Sequence, residues 1–371
     1  MALRQMKYMG CVAAMLVGGL GAASPSDATE RLVVHPGQSI QRAVDRAKPG
    51  DTVIIRPGLY RESVVIRKSR LRLVGAGSKT VISPIGKRAG NMCAKAGNGI
   101  CVIGTEGRPL RDVSIRSLTV RGFKKNGLWA SRTDRLAVRH VFARNNGVWG
   151  IAQERSVRGL FRDNVVTGNG DSGIFLANTV KEEGGATDTR GAAVTENYLA
   201  RNRVGITVRR VRNLVIAHNT ITQNCAGVFV VGDESRPRAG ALAVRNNTVV
   251  KNNKFCPANP RLPFLQGSGI VLTGAEKTLV RRNLVRDNVG KSPLSGGIVL
   301  FHSFVKATNQ HNLIIDNLVQ HNKPVDLADR DPKGKGNRFV DNICRTSQPP
   351  GLCRRHEAFE AHEAQPSSIG E

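Results

Sequence analysis

Asparagine recurs at a five-residue offset along much of the chain, always in the frame N-x-aliphatic-x-x-N. The paired positions are Asn164 and Asn169, Asn197 and Asn202, Asn219 and Asn224, Asn247 and Asn252, Asn283 and Asn288, and Asn317 and Asn322. The shortest step between repeats, from Asn197 to Asn219, is 22 residues. A fixed period of this size predicts a solenoid, in which each repeat packs on its neighbours.

The repeat unit is too short for two packed helices, and its apolar residues alternate with polar ones as in strands. In the segment 214–221, Ile216 and Ile221 are expected to point inward, with Asn219 turning the corner between them. Asparagine tolerates left-handed backbone angles, and stacked asparagines can bond from coil to coil. The pattern predicts an all-β, single-stranded parallel β-helix. A leucine-rich repeat has a similar period but needs denser leucine and a helix-like half.

The ends of the chain predict four segments. Residues 1–28 are typical of a signal peptide, with Arg4 and Lys7 before the apolar stretch Cys11–Ala23. A retained anchor is the alternative; after signal cleavage we expect no stable membrane span. Residues 29–113 are predicted to hold an N-terminal cap and the first coils. Residues 114–345 are predicted to hold the β-helix repeats, and residues 346–371 a partly disordered tail.

The six cysteines outside the signal segment suit an oxidising compartment, so we expect a secreted or periplasmic protein. Local pairing predicts the disulfides Cys93–Cys101, Cys225–Cys256 and Cys344–Cys353. Unpaired thiols or a metal site are the alternatives, although no CxxC or HxxxH spacing supports a metal.

The charge is strongly positive, with 56 lysines and arginines against 28 carboxylates and a net charge of +28. An acidic polysaccharide or an anionic cell surface is the expected partner. Aromatic content is low and no nucleic-acid motif is present, so we expect no nucleic-acid partner. We expect a monomer.

The N-terminal region departs from the repeat. Ser39 is a plausible N-cap for an amphipathic helix that carries Ile40, Ala43, Val44 and Ala47 on one face. Such a helix can cover the open first coil of a solenoid.

The surrounding string, PGQSIQRAVDRAKPGDTVIIRPGLYRESVVI, resembles the start of secreted right-handed parallel β-helix proteins of the pectin-lyase-like group. This group includes NosD-type periplasmic proteins and mannuronan C5-epimerases. The resemblance implies a right-handed β-helix. Its members include lyases, hydrolases, epimerases and non-catalytic proteins, so it leaves the activity open.

Members of this fold usually bind glycans along one outer sheet, which should be formed here by the strands that begin at the repeated glycines, such as Gly173, Gly205 and Gly269. Alternation then assigns the outward side chains. The candidate binding residues are Trp129, Glu154, Phe175, Arg210, Phe229, Lys277 and Phe301. They could form an open groove, or the long loops could cover them as a second core. Insertions on one side of a solenoid favour the groove.

Cleavage of a polyuronate by β-elimination needs carboxylate neutralisation, a base and an acid. Arg209, His302 and Asp233 are the candidate catalytic residues. Ca²⁺ could bind Asp233 with Glu234, or the acidic set Glu182, Glu183 and Asp188. The epimerase motif Asp-Pro-His-Asp and adjacent Asp-Asp are both absent from the sequence. We therefore predict binding of an acidic polysaccharide with lyase or epimerase activity as one outcome, and a non-catalytic adhesion, envelope or accessory protein as the alternative.

Overall fold

The computed structural model describes residues 29–86, 90–179, 184–260 and 262–354. Three long sheets run along the molecule, and every neighbouring pair of strands within them is parallel. The chain visits the three sheets in turn, so each circuit of the backbone adds one coil. The predicted β-helix is confirmed.

The strands of each sheet stack in chain order. The first sheet contains Arg31–Val34, Thr52–Ile55, Arg72–Val74, Ser114–Arg116, Ala137–Arg139, Leu160–Arg162, Thr187–Thr195, Val211–Ala217, Ala243–Arg245, Leu279–Arg281, Leu313–Ile315 and Arg338–Val340. The second contains Gly58–Arg61, Thr80–Ser83, Thr119–Arg121, Phe142–Arg144, Val165–Thr167, Tyr198–Ala200, Thr220–Thr222, Thr248–Val250, Leu284–Arg286 and Leu318–Gln320. The third contains Val64–Ile66, Ile100–Ile103, Leu128–Ser131, Ile151–Glu154, Ser172–Ala177, Val204–Arg209, Ala226–Val231, Ser268–Thr273, Gly296–Phe301, Leu327–Arg330 and Ser347–Gln348. Leu110–Arg111 and Thr133–Asp134 form a short fourth pair.

The bore of the solenoid is aliphatic. Within one coil, Ile216 of the first sheet, Ile221 of the second and Val228 of the third all have no exposed surface. Equivalent positions in the next coil pair directly with them, as Ile216 does with Val244. Each coil therefore buries its side chains against those above and below, which is why period and alternation alone could predict the core.

The paired asparagines form two continuous ladders inside the corners. Asn219 is 1% exposed, and its Nδ2 donates to Asn247 Oδ1 and to Val194 O, both at 2.9 Å. Its Oδ1 accepts from the backbone N and the Nδ2 of Asn197, at 3.0 and 2.9 Å. The predicted coil-to-coil hydrogen bonds are confirmed.

The expectation that these asparagines adopt the left-handed conformation is wrong. The residue before each one adopts it instead, as at His218, where φ is 58°. With the left-handed residue before it, the asparagine side chain points inside. There it makes hydrogen bonds with backbone groups of the adjacent coil. His140 and Asn145, at the corners of an earlier coil, occupy the same left-handed position. Both have positive φ, and Asn146 is the residue that bonds to Asn169.

The repeated glycines mark where successive coils approach most closely. A Cβ built on Gly205 would lie 2.7 Å from the carbonyl oxygen of Gly227 in the next coil and 2.4 Å from Ile221 Cγ2. Glycine is required here for space. This explains why glycine lies at or next to the start of most strands of the third sheet.

The predicted N-terminal helix spans Ile40–Arg46, with Ser39 as its N-cap, and buries Ile40 and Val44. The Glu62 carboxylate reinforces the cap, because it accepts hydrogen bonds from the backbone N of Ile40 and Gln41 at 2.7 and 3.1 Å. The helix contacts the first strands of the first and third sheets, as a cap does. A one-turn α-helix, Met92–Lys95, and a 3₁₀ turn, Gly77–Lys79, complete the helical structure of the described residues.

The three local disulfides expected from the sequence are present: Cys93–Cys101, Cys225–Cys256 and Cys344–Cys353. The last one closes the segment after the final coil, where Ser347–Gln348 still pairs with the third sheet. The predicted signal peptide and residues 355–371 of the predicted tail lie outside the described residues.

Candidate functional site

The outer face of the third sheet carries the two side-chain rows that alternation predicts. Strand register pairs Phe175 with Thr207, and Thr207 with Phe229, on successive coils. The neighbouring row pairs Arg209 with Val231 in the same way. These two rows form the floor of the candidate site.

Part of this floor is covered. On the later coils, Phe229, Val271, Val299 and Phe301 are at most 6% exposed and pack into one apolar cluster. Cys256 and Leu265 belong to this cluster, Leu262 packs against it, and the disulfide Cys225–Cys256 ties their loop to the sheet. Here the covered-core alternative describes the structure better than an open groove.

A cleft of about 510 Å³ remains open beside this covered cluster. Its floor comes from the strands Ser172–Ala177, Val204–Arg209 and Ala226–Val231, and its walls come from loops that precede and loops that follow strands of this sheet. The polar and aromatic residues of its lining are Trp149, Asp171, Ser172, Phe175, Thr207, Arg209, Arg210, Phe229, Asp233, Glu234, Ser235, Asn259, Thr273, Ser303 and Phe304.

One wall of the cleft is aromatic. The rings of Trp149 and Phe175 stack with centroids 4.1 Å apart and planes 2° from parallel. The indole Nε1 of Trp149 donates to Asp171 Oδ2 at 3.2 Å, which holds the ring in place. Phe175 is only 5% exposed, so the indole presents most of the aromatic surface at this wall. Flat aromatic surfaces of this kind are suited to the apolar face of a sugar ring.

The opposite wall is charged. Arg210 Nε lies 2.9 Å from Asp233 Oδ2, and the two side chains are 5% and 16% exposed. Asp233 Oδ1 also accepts from the backbone N of Ser235 at 3.0 Å, while Arg209 Nη1 donates to Thr179 O at 3.1 Å. Together with Asp171 and Glu234, the described lining carries three carboxylates and two guanidinium groups. The positive charge of the protein is therefore not concentrated in the cleft.

Several predicted residues lie elsewhere. His302 is exposed and stacks on Phe301 at 4.1 Å, outside the cleft lining. Lys277 is exposed at the corner before the first sheet, with φ of 49°. Trp129 donates from Nε1 to Glu154 Oε2 at 3.3 Å on earlier coils of the same sheet. Of the predicted site residues, the structure brings Arg209, Arg210, Asp233, Phe175 and Phe229 to the cleft.

No cluster of three or more His, Cys, Asp or Glu side chains suited to a metal ion occurs among the described residues. Asp233 and Glu234 both line the cleft, whereas Glu182 and Glu183 lie outside the described residues. Asp188 accepts from the backbone N of Arg190 at 2.8 Å, and this hydrogen bond lowers the pKa of its carboxyl.

Sequence reasoning missed Trp149, Asp171 and Phe304, which reach the cleft from loops rather than from the glycine-led strands. Trp149 could have been found, because it immediately precedes Gly150 and is one of only two tryptophans in the chain. Phe304 follows the strand Gly296–Phe301 in a loop, and its path over the sheet carries no repeat signal.

The comparisons with known proteins agree with this architecture. A family model described as the right handed beta helix region matches residues 89–249. The chain folds as a right-handed parallel β-helix, in agreement with this model and with the three parallel sheets. A second model, described as periplasmic copper-binding protein (NosD), matches residues 182–345 of this β-helix protein. The comparison with curated proteins found no match.

Solved structures show the same fold at low sequence identity. The A-module of a mannuronan C-5 epimerase from Azotobacter vinelandii is 18% identical, with a TM-score of 0.59; the match covers 83% of this chain and 91% of that one. The DFA-IIIase of Arthrobacter chlorophenolicus, without its lid, is 14% identical, with a TM-score of 0.56 and coverage of 85% and 98%. The complex of XylC with xylose is 9% identical, with a TM-score of 0.53 and coverage of 85% and 70%. These likenesses show the fold.

Among the described residues, no group of side chains matches the donor set expected for the copper that the second family description names. The described residues hold no His or Cys cluster of the required size, and Met92 is the only methionine among them. No helix in the described part of the chain has the length and apolarity needed to span a membrane.

Proposed function

We propose that this β-helix protein is exported and binds an acidic polysaccharide, with one sugar ring held in the cleft of the third sheet. The aromatic wall carries this proposal. The Trp149 indole, supported from behind by Phe175, faces a pocket that also contains the guanidinium group of Arg209. Stacking can hold the ring, and an arginine can bind a carboxylate through two parallel hydrogen bonds.

Other observations support export and the class of ligand. Three disulfides suit an oxidising compartment, and the similarity to a periplasmic family model agrees with it. The solved relatives named above include an epimerase that acts on mannuronan and a protein in complex with xylose. A net charge of +28 attracts a polyanion to the molecule as a whole.

The binding test compares cleft variants with matched controls. Trp149→Ala removes the stacking surface, and Trp129→Ala removes the other tryptophan, which lies outside the cleft lining on the same sheet. Affinity electrophoresis through alginate or pectate measures the result. We expect Trp149→Ala to lose about 0.5–1.5 kcal/mol of binding free energy, or roughly 2- to 13-fold in affinity.

Arg209→Ala should also weaken retention, while Arg245→Ala, an exposed arginine on the first sheet, should change it less. Thermal unfolding of each variant checks that the fold is intact. Equal retention of Trp149→Ala and Trp129→Ala on both glycans would contradict binding in the cleft.

A second candidate function is chemical change of the bound sugar by elimination or epimerisation at C5. The position of Asp233 in the cleft favours it, because a carboxylate beside the sugar could accept the C5 proton, and Arg210 holds that carboxylate in place. In elimination the electrons left on C5 form a double bond to C4 as the C4–oxygen bond breaks, and the departing oxygen takes a proton from an acid or from water. In epimerisation a proton returns to the opposite face.

Incubation with alginate, pectate and glycosaminoglycans, with and without Ca²⁺, tests this chemistry. Ultraviolet absorbance detects the unsaturated product of elimination, and nuclear magnetic resonance detects epimerised residues. Activity that disappears in Asp233→Asn would support the catalytic role. Tight retention with neither product would favour the non-catalytic binding protein.

A further inference from the structure

The cationic charge of the chain is concentrated at one end. Residues 29–146 contain 24 lysines and arginines and 7 carboxylates, whereas residues 147–371 contain 30 and 20. The cleft belongs to later coils and its described lining holds more carboxylates than guanidinium groups. The surface with the largest positive surplus is therefore separate from the cleft.

On the outer face of the second sheet, three arginines of these first coils stand in one row. Arg61 is in register with Ser83, and Arg121 is in register with Arg144. The pairing of Thr119 with Val81 places Arg121 on the coil after Ser83. The three guanidinium groups thus occupy the first, third and fourth of four successive coils. At about 4.8 Å per coil, the row is about 14 Å long at the backbone.

These three arginines, named here the arginine strip, are not neutralised by described carboxylates. Glu62, next to Arg61 in sequence, directs its carboxylate to the N-terminal helix, where Ser39, Ile40 and Gln41 bind it. Arg144 lies over its own Phe142 ring at 4.8 Å. Arg162, on the next coil of the first sheet after Arg139, differs because it bonds to Glu196 at 2.7 Å.

The strip borders a shallow groove of about 310 Å³. Arg61 and Arg121 flank it, Ser83 lies between them, and Leu59 and Pro84 add an apolar surface. Leu59 is 43% exposed. Beyond Arg144 the row becomes neutral, with Thr167, Ala200 and Thr222 at the next positions. The cationic footprint therefore has a defined end.

We propose that the arginine strip is a second binding site, which holds a segment of acidic polysaccharide along the solenoid axis independently of the cleft. A row of single guanidinium groups, two coils apart between Arg61 and Arg121 and one coil apart between Arg121 and Arg144, suits a polymer that carries anionic groups on several of its successive rings. The apolar surface of Leu59 and Pro84 suits a ring face. Nucleic acid would instead gain from exposed aromatic rings for base stacking, and Phe142 is covered by Arg144. The proposal shares its ligand class with the proposed function but does not need the cleft.

The test uses two triple variants of the full chain with the same change in net charge. One replaces Arg61, Arg121 and Arg144 with glutamine. The control replaces Arg245, Arg282 and Arg338, which are exposed arginines on later coils. Binding of polymeric alginate is measured by affinity electrophoresis at several salt concentrations. We expect about a tenfold loss of affinity for the strip variant and about twofold or less for the control, because close charge-assisted contacts exceed long-range, salt-screened attraction.

Trp149→Ala separates this site from the cleft. If the comparison of Trp149→Ala with Trp129→Ala shows no binding in the cleft, the strip variant should still bind the polymer more weakly, whereas Trp149→Ala should bind it as the wild type does. Equal losses in the two triple variants, or unchanged affinity in the strip variant, would overturn the second site. Stronger binding of duplex DNA or anionic-lipid vesicles than of alginate, through the same three arginines, would overturn its assignment to a polysaccharide.

Discussion

Replacing Asn219 with alanine removes one step of an asparagine ladder. The variant loses four hydrogen bonds, two donated by the Asn219 amide and two accepted by its carbonyl oxygen. Two donors of Asn197 are left without a partner in the interior, namely its backbone N–H and one hydrogen of its Nδ2. Asn197 Nδ2 keeps only its bond to Phe161 O.

Each buried donor left without a partner costs about 1–3 kcal/mol, so we expect Asn219→Ala to lower the free energy of unfolding by about 2–6 kcal/mol. Urea unfolding followed by circular dichroism measures the change. Asn219→Asp should be at least as harmful near neutral pH, because its second oxygen would face two acceptors, Val194 O and Asn247 Oδ1.

The matched control is Asn246→Gly. On the next coil, Asn246 occupies the corner position that His218 occupies before Asn219. Asn246 has a left-handed φ of 54°, which glycine accepts, and its amide makes only a 3.5 Å contact with His218 Nε2. We expect a change within about 0.5 kcal/mol. A loss for Asn219→Ala below about 1 kcal/mol, or equal to that of the control, would refute the ladder as a stabilising element.

Two further predictions concern coil spacing and acid stability. Gly205→Ala should lower the free energy of unfolding by about 1–3 kcal/mol, because the new Cβ meets Gly227 O in the next coil. Gly184→Ala should be nearly neutral, because a Cβ there would have only one atom within 4 Å, at 3.9 Å. Equal urea midpoints for the two variants would contradict this. The Arg158 guanidinium donates hydrogen bonds to Asp134 and lowers the pKa of that carboxyl. The pair therefore stabilises the fold at pH values above the pKa of an unfolded Asp, about 3.9, and this stabilisation is lost as the pH falls below that value. Asp134→Asn should therefore flatten the decline of the melting temperature in acid, whereas exposed Asp341→Asn should leave it unchanged; parallel declines in wild type and Asp134→Asn would contradict the assignment.

Sequence predicted the inner half of the structure better than the outer half. Inward positions such as Ile216 and Ile221 follow from alternation within a coil, and the N-terminal helix follows from its apolar face. The register that aligns Phe175, Thr207 and Phe229 on successive coils can also be predicted from sequence, because each strand lies at a fixed distance from the asparagine pair of its repeat. Local chemistry carries all of this information.

Predictions for the corners failed by one residue. The asparagine was expected to take the left-handed angles that His218 takes in the structure. Both residues tolerate that conformation, so propensity could not separate them. The choice depends on which side chain can reach the backbone groups of the adjacent coil, and only stacking brings those groups near.

The repeat period, the alternation within each coil, the apolar face of the first helix and the cysteine spacing are local properties, and by themselves they indicated the β-helix solenoid, its cap, its core and the faces of its strands. The tertiary structure decided which outward residues meet. It placed Trp149 on Phe175, paired Arg210 with Asp233, covered Phe229 and Phe301 and left His302 outside the cleft. The loops that produce these contacts lie outside the repeat, and their paths depend on packing across coils that no short stretch of sequence contains.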